Sequence, residues 1–493
     1  MKRERIIQPL IRTGYNRWPI VLLTLVLIFL PAAPAQAASL TVNSLADADN
    51  GSDGVCTLRE AIIAANNNAT YHECASSGFG IDTITFSVSG TITLGASLPN
   101  VADSAGLTIN GGSGVTLSGN NAVRVFQVNS GAALTLQNLT VTQGKNDSSI
   151  GGGLYNNGTV TISNSTFSGN NAQFGGGLYN NGTATISYST FSGNSADSGG
   201  GISNASSGVA TINNSTFSGN STTFGGGIFN SGTVSLSNSL VSANNASNSG
   251  GGLSNTSSGT VIISDSTLSG NSTISGGGIF NGGTVTINNS TFAGNSASNS
   301  GGGLSNSGGT VTTSNSTFSS NSANNFGGSI NNVNGGTTTI RNGTFASNSA
   351  TFGGGIYNFG GTVTLANTIV TTSPSGGNCS GTVTNGGHNL DSLTTCGWGS
   401  NNGSLSSTDP QLGPLANNGG LTQTHALLQG SPAVDRGNNS LLPLDSTDLD
   451  GDGNTTEPIP FDQRGSGHFR VAGGTVDIGA FERQRVYLPI VIK

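Results

Sequence analysis

Charge is what this 493-residue chain most lacks: Asp, Glu, Lys and Arg together make up 8% of it. Between Gly144 and Val370 the only charged side chains are Lys145, Asp147, Asp197, Asp265 and Arg341, and that stretch holds no Glu, His or Cys. The same scarcity excludes simple disorder, because disordered chains pair low hydrophobicity with high net charge, and here a third of the residues are apolar. Helical repeats are excluded by a shortage of helix formers: Gly, Ser, Thr, Asn and Val dominate, and no 3.6-residue apolar period appears. Beyond residue 37 no apolar run approaches the roughly twenty residues of a bilayer span. His388, His425 and His468 lack metal-ligand spacing, and only four cysteines are present.

The one long apolar run, PIVLLTLVLIFL at 19–30, follows Lys2, Arg3, Arg5, Arg12 and Arg17 and precedes the small-residue stretch AQA at 35–37. This is the pattern of a secretory signal, read as residues 1–37. Its removal takes the net charge from −7 to −11. That acidity disfavours nucleic acid and anionic membranes as partners. The expected location is secreted or at the cell surface, with no transmembrane segment after cleavage.

A phrase then repeats. Gly triplets begin at Gly151, Gly175, Gly199, Gly225, Gly250, Gly276, Gly301, Gly327 (as GGS) and Gly353, a spacing of 24 to 26 residues. Each unit holds three short extended pieces, GLYN-like, TVTIS-like and STFSGN-like, separated by Gly or Asn suited to tight corners. Three strands and three corners in about 25 residues make one coil of a parallel β-helix. Stacking at about 4.8 Å puts like on like. Leu154, Leu178, Ile202, Ile228, Leu253, Ile279, Leu304, Ile330 and Ile356 then form an inward column. Phe167, Phe191, Phe217, Phe292, Phe318 and Phe345 form another, interrupted by Val241 and Leu268. The Asn that closes each STFSGN, from Asn170 to Asn348, is expected to form a hydrogen-bonded ladder. Eleven to thirteen coils would give a rod on the order of 55 Å long.

Both open ends of such a stack need caps. In CTLREAIIAANN at 56–67, Thr57 and Glu60 have capping-box spacing, and Leu58, Ala61, Ile62 and Ala65 share one helical face. This segment resembles the CSLREA domain family, with Thr57 in place of the family's Ser. The GGG[IL]xN and STFSGN phrases resemble the right-handed β-helix repeats of secreted bacterial proteins and are similar to those of polymorphic outer membrane proteins. DPQLGPLANNGGLTQTHALLQGSPAVDRGNN at 409–439 and DLDGDGNTTEPIPFDQRG through VDIGAFE at 448–482 resemble the choice-of-anchor Q domain. The resemblances imply a surface or extracellular protein with no established catalytic chemistry. The fold class expected is thus all-β: a right-handed parallel β-helix with a short N-terminal capping helix and a loop-rich C-terminal cap. Its divisions are 1–37 signal, 38–106 N-terminal cap and first strands, 107–372 repeats, and 373–493 C-terminal domain.

Four cysteines in an exported chain suggest two disulfides, with three pairings open. Pairing across the rod's ends would far exceed the roughly 7 Å allowed between Cα atoms. The expected pairs are therefore Cys56–Cys74 and Cys379–Cys396.

Glycosidic chemistry needs paired carboxylates, or a calcium cluster with a base, on neighbouring coils. Asp147, Asp197 and Asp265 are separated by two or more coils, about 10 Å, too far for a close pair. Asp435 with Arg436, Asp462 with Arg464, and Asp477 with Glu482 read as acid/base machinery or, as is commoner for Asp/Arg clusters in a loop-rich cap, as holders of backbone turns and ion pairs. No catalytic residue is assigned, and the chain is expected not to be an enzyme. DLDGDGN sets Asp448, Asp450 and Asp452 at alternate positions, as in the first half of an EF-hand loop, so a structural Ca2+ is expected there. Ile459 stands where that loop wants Glu, and Glu457 or Asp462 would substitute. Outward Thr pairs recur in the second strand: Thr159/Thr161, Thr183/Thr185, Thr284/Thr286, Thr310/Thr312, Thr337/Thr339 and Thr362/Thr364. They read as polar strand formers, or as a hydroxyl lattice for a polysaccharide or ice.

The function expected from sequence is non-catalytic: adhesion, envelope structure or glycan binding, with an extracellular polysaccharide or envelope component as partner. The competing readings are a polysaccharide lyase or glycoside hydrolase with its site near the C-terminal cap, and a lattice binder acting through the Thr columns.

Overall fold

Identical residues one coil apart can satisfy each other only if the coils stack in register, and the backbone does this throughout. The computed structural model describes residues 37–75, 80–445 and 449–484. They build an all-β parallel β-helix of about twelve coils. The signal read at 1–37 lies, Ala37 apart, outside the described residues, as does the tail from 485. Among the described residues no helix is long and apolar enough to cross a membrane.

Eight successive coils have four strands, where the sequence suggests three. In one coil they are Leu154–Asn156, Thr159–Ser163, Thr166–Ser168 and Asn171–Phe174. The fourth pairs with its counterparts in a separate eight-stranded sheet. It turns a small residue inward, so Ala172, Ala246, Ala297 and Ala323 are buried there. The first strands form an eleven-stranded sheet, and the second and third belong to one large sheet.

The expected columns are in register. Leu154 pairs with Leu178, Leu178 with Ile202, and the series continues to Ile330 with Ile356. Phe167, Phe191 and Phe217 stack with centroids 4.9 and 5.0 Å apart, and Phe292, Phe318 and Phe345 at 4.6 and 4.8 Å. Every one of these side chains is buried. At roughly 25 cal/mol per Å2 of apolar surface, this continuous core is the main favourable term in folding.

The Asn ladder also forms. Asn220 Nδ2 donates to Asn244 Oδ1 at 2.9 Å while Asn220 N donates to the same oxygen at 3.0 Å, and Asn244 repeats the pattern on Asn271. A second ladder, not foreseen, runs from Asn156 to Asn358 at the end of the first strand, with Nδ2 to Oδ1 distances of 2.8 to 2.9 Å. A third uses Ser: Ser165 N donates to Ser189 Oγ at 3.2 Å, and Ser189 N to Ser215 Oγ at 3.2 Å. Buried amides and hydroxyls are tolerable because each has a partner one coil away.

The glycine triplet permits close coil approach. A Cβ on Gly177 would lie 2.6 Å from Gly201 O and 2.8 Å from Phe191 Cδ1. Both neighbours are packed, so neither can yield cheaply.

At the N-terminal end the helix Leu58–Asn67 lies against the strands Ser39–Val42 and Asp82–Phe86. Its capping box is complete: Thr57 Oγ1 accepts from Glu60 N and Glu60 Oε2 accepts from Thr57 N. Cys56–Cys74 and Cys379–Cys396 are bonded, with Cα separations of 5.0 and 4.8 Å. Coil stacking continues past residue 373, through Cys379–Ser380, Thr384–Asn385, Leu390–Asp391 and Leu405–Ser406. The break at 373 is therefore one of composition. Only beyond it does the chain leave the stack, into the antiparallel pair Leu412–Ala416 and Thr424–Leu427.

Asn244→Ala would leave the buried Asn220 N–H without an acceptor and remove one from its Nδ2. We expect a loss of roughly 2–4 kcal/mol in denaturant-induced unfolding. The outward Thr185→Ala should cost less than about 1 kcal/mol. Gly177→Ala should cost about 1–3 kcal/mol by overpacking.

Candidate functional site

The Thr columns exist as read. Thr159 pairs with Thr183, and Thr161 with Thr185; further along, Thr284, Thr310, Thr337 and Thr362 align, as do Thr286, Thr312, Thr339 and Thr364. Val209 and Ile262 interrupt them, each exposed. The lattice is thus split into two short blocks.

A more informative column marks the bend between the second and third strands, where one residue per coil adopts the left-handed conformation. Asn138, Asn164, Asn214, Asn238, Asn289, Asn315, Asn342 and Asn367 fill it, with φ between 44° and 54°. Asn tolerates this region because its short side chain can bond locally. Two coils depart: Tyr188, at φ 49°, and Asp265, at φ 49°. A bulky aromatic there costs on the order of 1–2 kcal/mol, and such strain concentrates at functional positions.

The C-terminal segment covers part of this face. Thr422 Oγ1 donates to Asn289 O, Thr291 Oγ1 to Gln423 O, Asn315 Nδ2 to Phe461 O and Thr317 Oγ1 to Gln463 Oε1. Ala480 N donates to Thr344 Oγ1, and Gly479 N to Asn367 O. Coils from Asn289 onward are therefore buried at the bend, while those before it stay open. The edge between them forms a cleft of about 500 Å3. Tyr188, 65% exposed, and Asp265 both line it, with Asn214, Asn238 and Leu240 between them and Leu421, 73% exposed, across from them. Burial pushes the Asp265 carboxyl up from its ordinary value. Stacking aromatic, amides and one carboxylate in a concave setting suit a polyhydroxylated ligand. Sequence reading named Asp265 but not Tyr188. The signal was present: STFSGN is preceded by Asn in most repeats and by Tyr188 in one.

The carboxylates near the C-terminus hold the backbone. Asp462 accepts from Arg464 Nε and Nη2 and from Glu482 N. Asp477 accepts from Asp435 N and Arg483 N, and Glu482 from Asp477 N and Ala472 N. Arg470 is fully buried beside them and donates through Nη2 to Asp477 O and Gly479 O. Burial dominates the electrostatics here, pushing Glu482 up to about 8 despite Arg470, and raising Asp477.

Two other acidic groups gather potential ligand atoms. Asp49, Glu60 and His72 meet at the N-terminal cap, where Glu60 is engaged by the capping box and by Asn50 N. Burial raises its carboxyl, but hydrogen bonds from Thr57, His72 and Asn50 outweigh that and hold it low. Near the C-terminus the set differs from the one expected: Asp445, Asp450 and Glu457 converge. Asp452 is outside that set and accepts from Asn454 N instead. Asp448 lies outside the described residues.

No family model matches the chain, and no curated protein does. Among solved structures it is similar to pectate lyase Pel9A, with a TM-score of 0.40 and 14% identity, over 92% of this chain and 98% of that one. The likeness is one of β-helix fold. The expectation that the chain is not an enzyme is withdrawn, the solved structure it is similar to being that of a pectate lyase.

The buried carboxylates generate a prediction about pH. Glu482 has its folded pKa raised above the unfolded value, so the folded state holds the proton more tightly. Its contribution to stability is full below about pH 4.5 and is lost as pH rises towards 8. Denaturant midpoints measured from pH 5 to 8 should fall with rising pH, and Glu482→Gln should flatten that slope.

Proposed function

We propose that this chain is exported and binds an extended extracellular polysaccharide, held in the cleft between the open coils and the C-terminal hairpin. The observation that carries this reading is the placing of Tyr188 and Asp265. They are the two departures from Asn in the left-handed column, and both wall the same cleft. A strained, exposed tyrosine has no packing reason to replace Asn, which fits the bend at lower cost. Its ring offers a face for a sugar, while Asn214, Asn238 and Asp265 offer hydrogen bonds to hydroxyls. The coils repeat at about 4.8 Å along the rod, so a polymer laid along them meets the same bend positions repeatedly.

Export is supported by the basic, apolar and small-residue order of the first 37 positions. Two disulfides agree with an oxidising compartment. The resemblance to CSLREA, polymorphic outer membrane protein and choice-of-anchor Q modules points the same way. Of adhesion, envelope structure and glycan binding, the cleft favours the last.

The test is affinity electrophoresis and pull-down against a panel of soluble and insoluble polysaccharides, with release of new reducing or unsaturated ends followed in the same samples. Tyr188→Asn should weaken retention at least tenfold while raising stability by about 1 kcal/mol, because it relieves the strained backbone. Phe229→Ala, on the outward side of a first strand, should leave retention unchanged. Equal retention by wild type and Tyr188→Asn would overturn the assignment of the cleft.

A further inference from the structure

The C-terminal acidic loop is closed at its neck. Leu444 and Pro458 form an antiparallel bridge, Asp445 N donates to Glu457 O at 2.7 Å, and Ile459 N donates to Pro443 O at 3.0 Å. This pairing sets the Asp445 and Glu457 side chains at the two sides of one neck, and Asp450 reaches back from the loop. One oxygen from each of the three carboxylates lies within 4.8 Å of the others. That is the span available to two oxygens each about 2.4 Å from a common ion, the Ca2+ to oxygen distance.

Repulsion among three carboxylates needs an offset, and no ion pair among the described residues provides one. Among side chains, Asn454 Nδ2 donates to Glu457 Oε2 at 3.2 Å. The independent sign is at Asp445. This side chain is fully buried, its Oδ2 accepts from Leu449 N at 2.7 Å, and its Oδ1 is buried with no hydrogen-bond partner. A buried carboxylate oxygen with nothing to accept is costly unless a cation or a proton meets it. The other two carboxylates stand where that cation would be shared.

The geometry points to a divalent-cation site of the calcium class formed by Asp445, Asp450 and Glu457 at the neck of this loop, with backbone carbonyls or water completing the shell. It differs from the site read in the sequence by including Asp445, and it is independent of the glycan reading. A bound ion would tie the loop to the pairing at its base, holding the segment that leads into Phe461 and Gln463, both of which dock on the rod.

The experiment is thermal unfolding and equilibrium dialysis of the full chain, purified from an exporting host and stripped with chelator, against CaCl2 and, in parallel, MgCl2. We expect one calcium per chain with Kd about 10⁻⁴ to 10⁻³ M, and a Tm that climbs with calcium concentration. Magnesium should act at least tenfold more weakly, since it demands shorter bonds and sheds water reluctantly. Asp445→Asn and Glu457→Gln should each weaken calcium binding tenfold or more. If Asp445→Asn fails to fold, the partly exposed Glu457→Gln decides alone. Absence of saturable calcium binding, equal response to magnesium, or unchanged affinity in Glu457→Gln would each overturn the site.

Discussion

Everything in this molecule depends on one constraint: each coil must bond to a near copy of itself one strand spacing away. At about 4.8 Å, a residue meets its own counterpart before it meets anything else. Groups that pair well with themselves are selected by that geometry. Aliphatic side chains and Phe rings do so by packing, and Asn and Ser do so because each carries both a donor and an acceptor. Charged groups do not, since like would face like at every level. The near absence of charge between Gly144 and Val370 is the compositional trace of this rule. It also accounts for polar groups that are buried yet cheap, because the Asn and Ser ladders give each amide and hydroxyl a partner on the adjoining coil.

A rule so strict leaves few places for anything specific. Inward positions are committed to the core and ladder positions to each other. Freedom remains only at outward side chains and at the corners. The C-terminal segment exploits both: Thr291, Thr317 and Thr344, which are ordinary outward residues in earlier coils, become buried hydrogen-bonding partners beneath it. Gln463 is the hub of that contact, its Nε2 reaching Ser290 O, Thr291 Oγ1 and Thr422 Oγ1. One repeated surface thereby acquires two states along its length, covered and open, and the cleft is the boundary between them.

How far this was legible in the sequence follows from the same constraint. The Leu/Ile and Phe columns, the first Asn ladder, the capping box at Thr57 and Glu60, and both disulfides could be read because each depends on spacing alone. The fourth strand could not: at that place NAQF, SADS, STTF and NASNS share little beyond a small inward residue. The second Asn ladder was hidden by chemistry, since the Asn of GLYN reads equally well as a corner residue. Docking of the C-terminal segment involves residues more than 130 positions apart, such as Thr291 with Gln423 and Asn315 with Phe461, joined by single hydrogen bonds that leave no periodic trace. Asp445 escaped notice for a similar reason: it lies outside the DLDGDGN spacing and reaches the cluster through strand pairing at the neck.

Departures from the repeat are therefore the places where information accumulates. A solenoid coil is held by two neighbours, so a substitution at a column position is felt three times over, once in its own coil and once in each adjoining one. Changes that persist must either restore the column, as Val241 and Leu268 do among the Phe rings, or serve something outside it. Tyr188 does not restore its column. Its ring stands outward, so it adds nothing to the core, and its backbone holds a conformation that Asn supplies at lower cost. Asp265, the other departure, brings a carboxylate into a region poor in charge, partly buried and hence raised in pKa. Asp265 keeps one partner in the column, a hydrogen bond with the Asn289 side chain of the next coil, whereas Tyr188 is not explained by stacking; both line the same concavity. That coincidence is the physical ground for the ligand site proposed there.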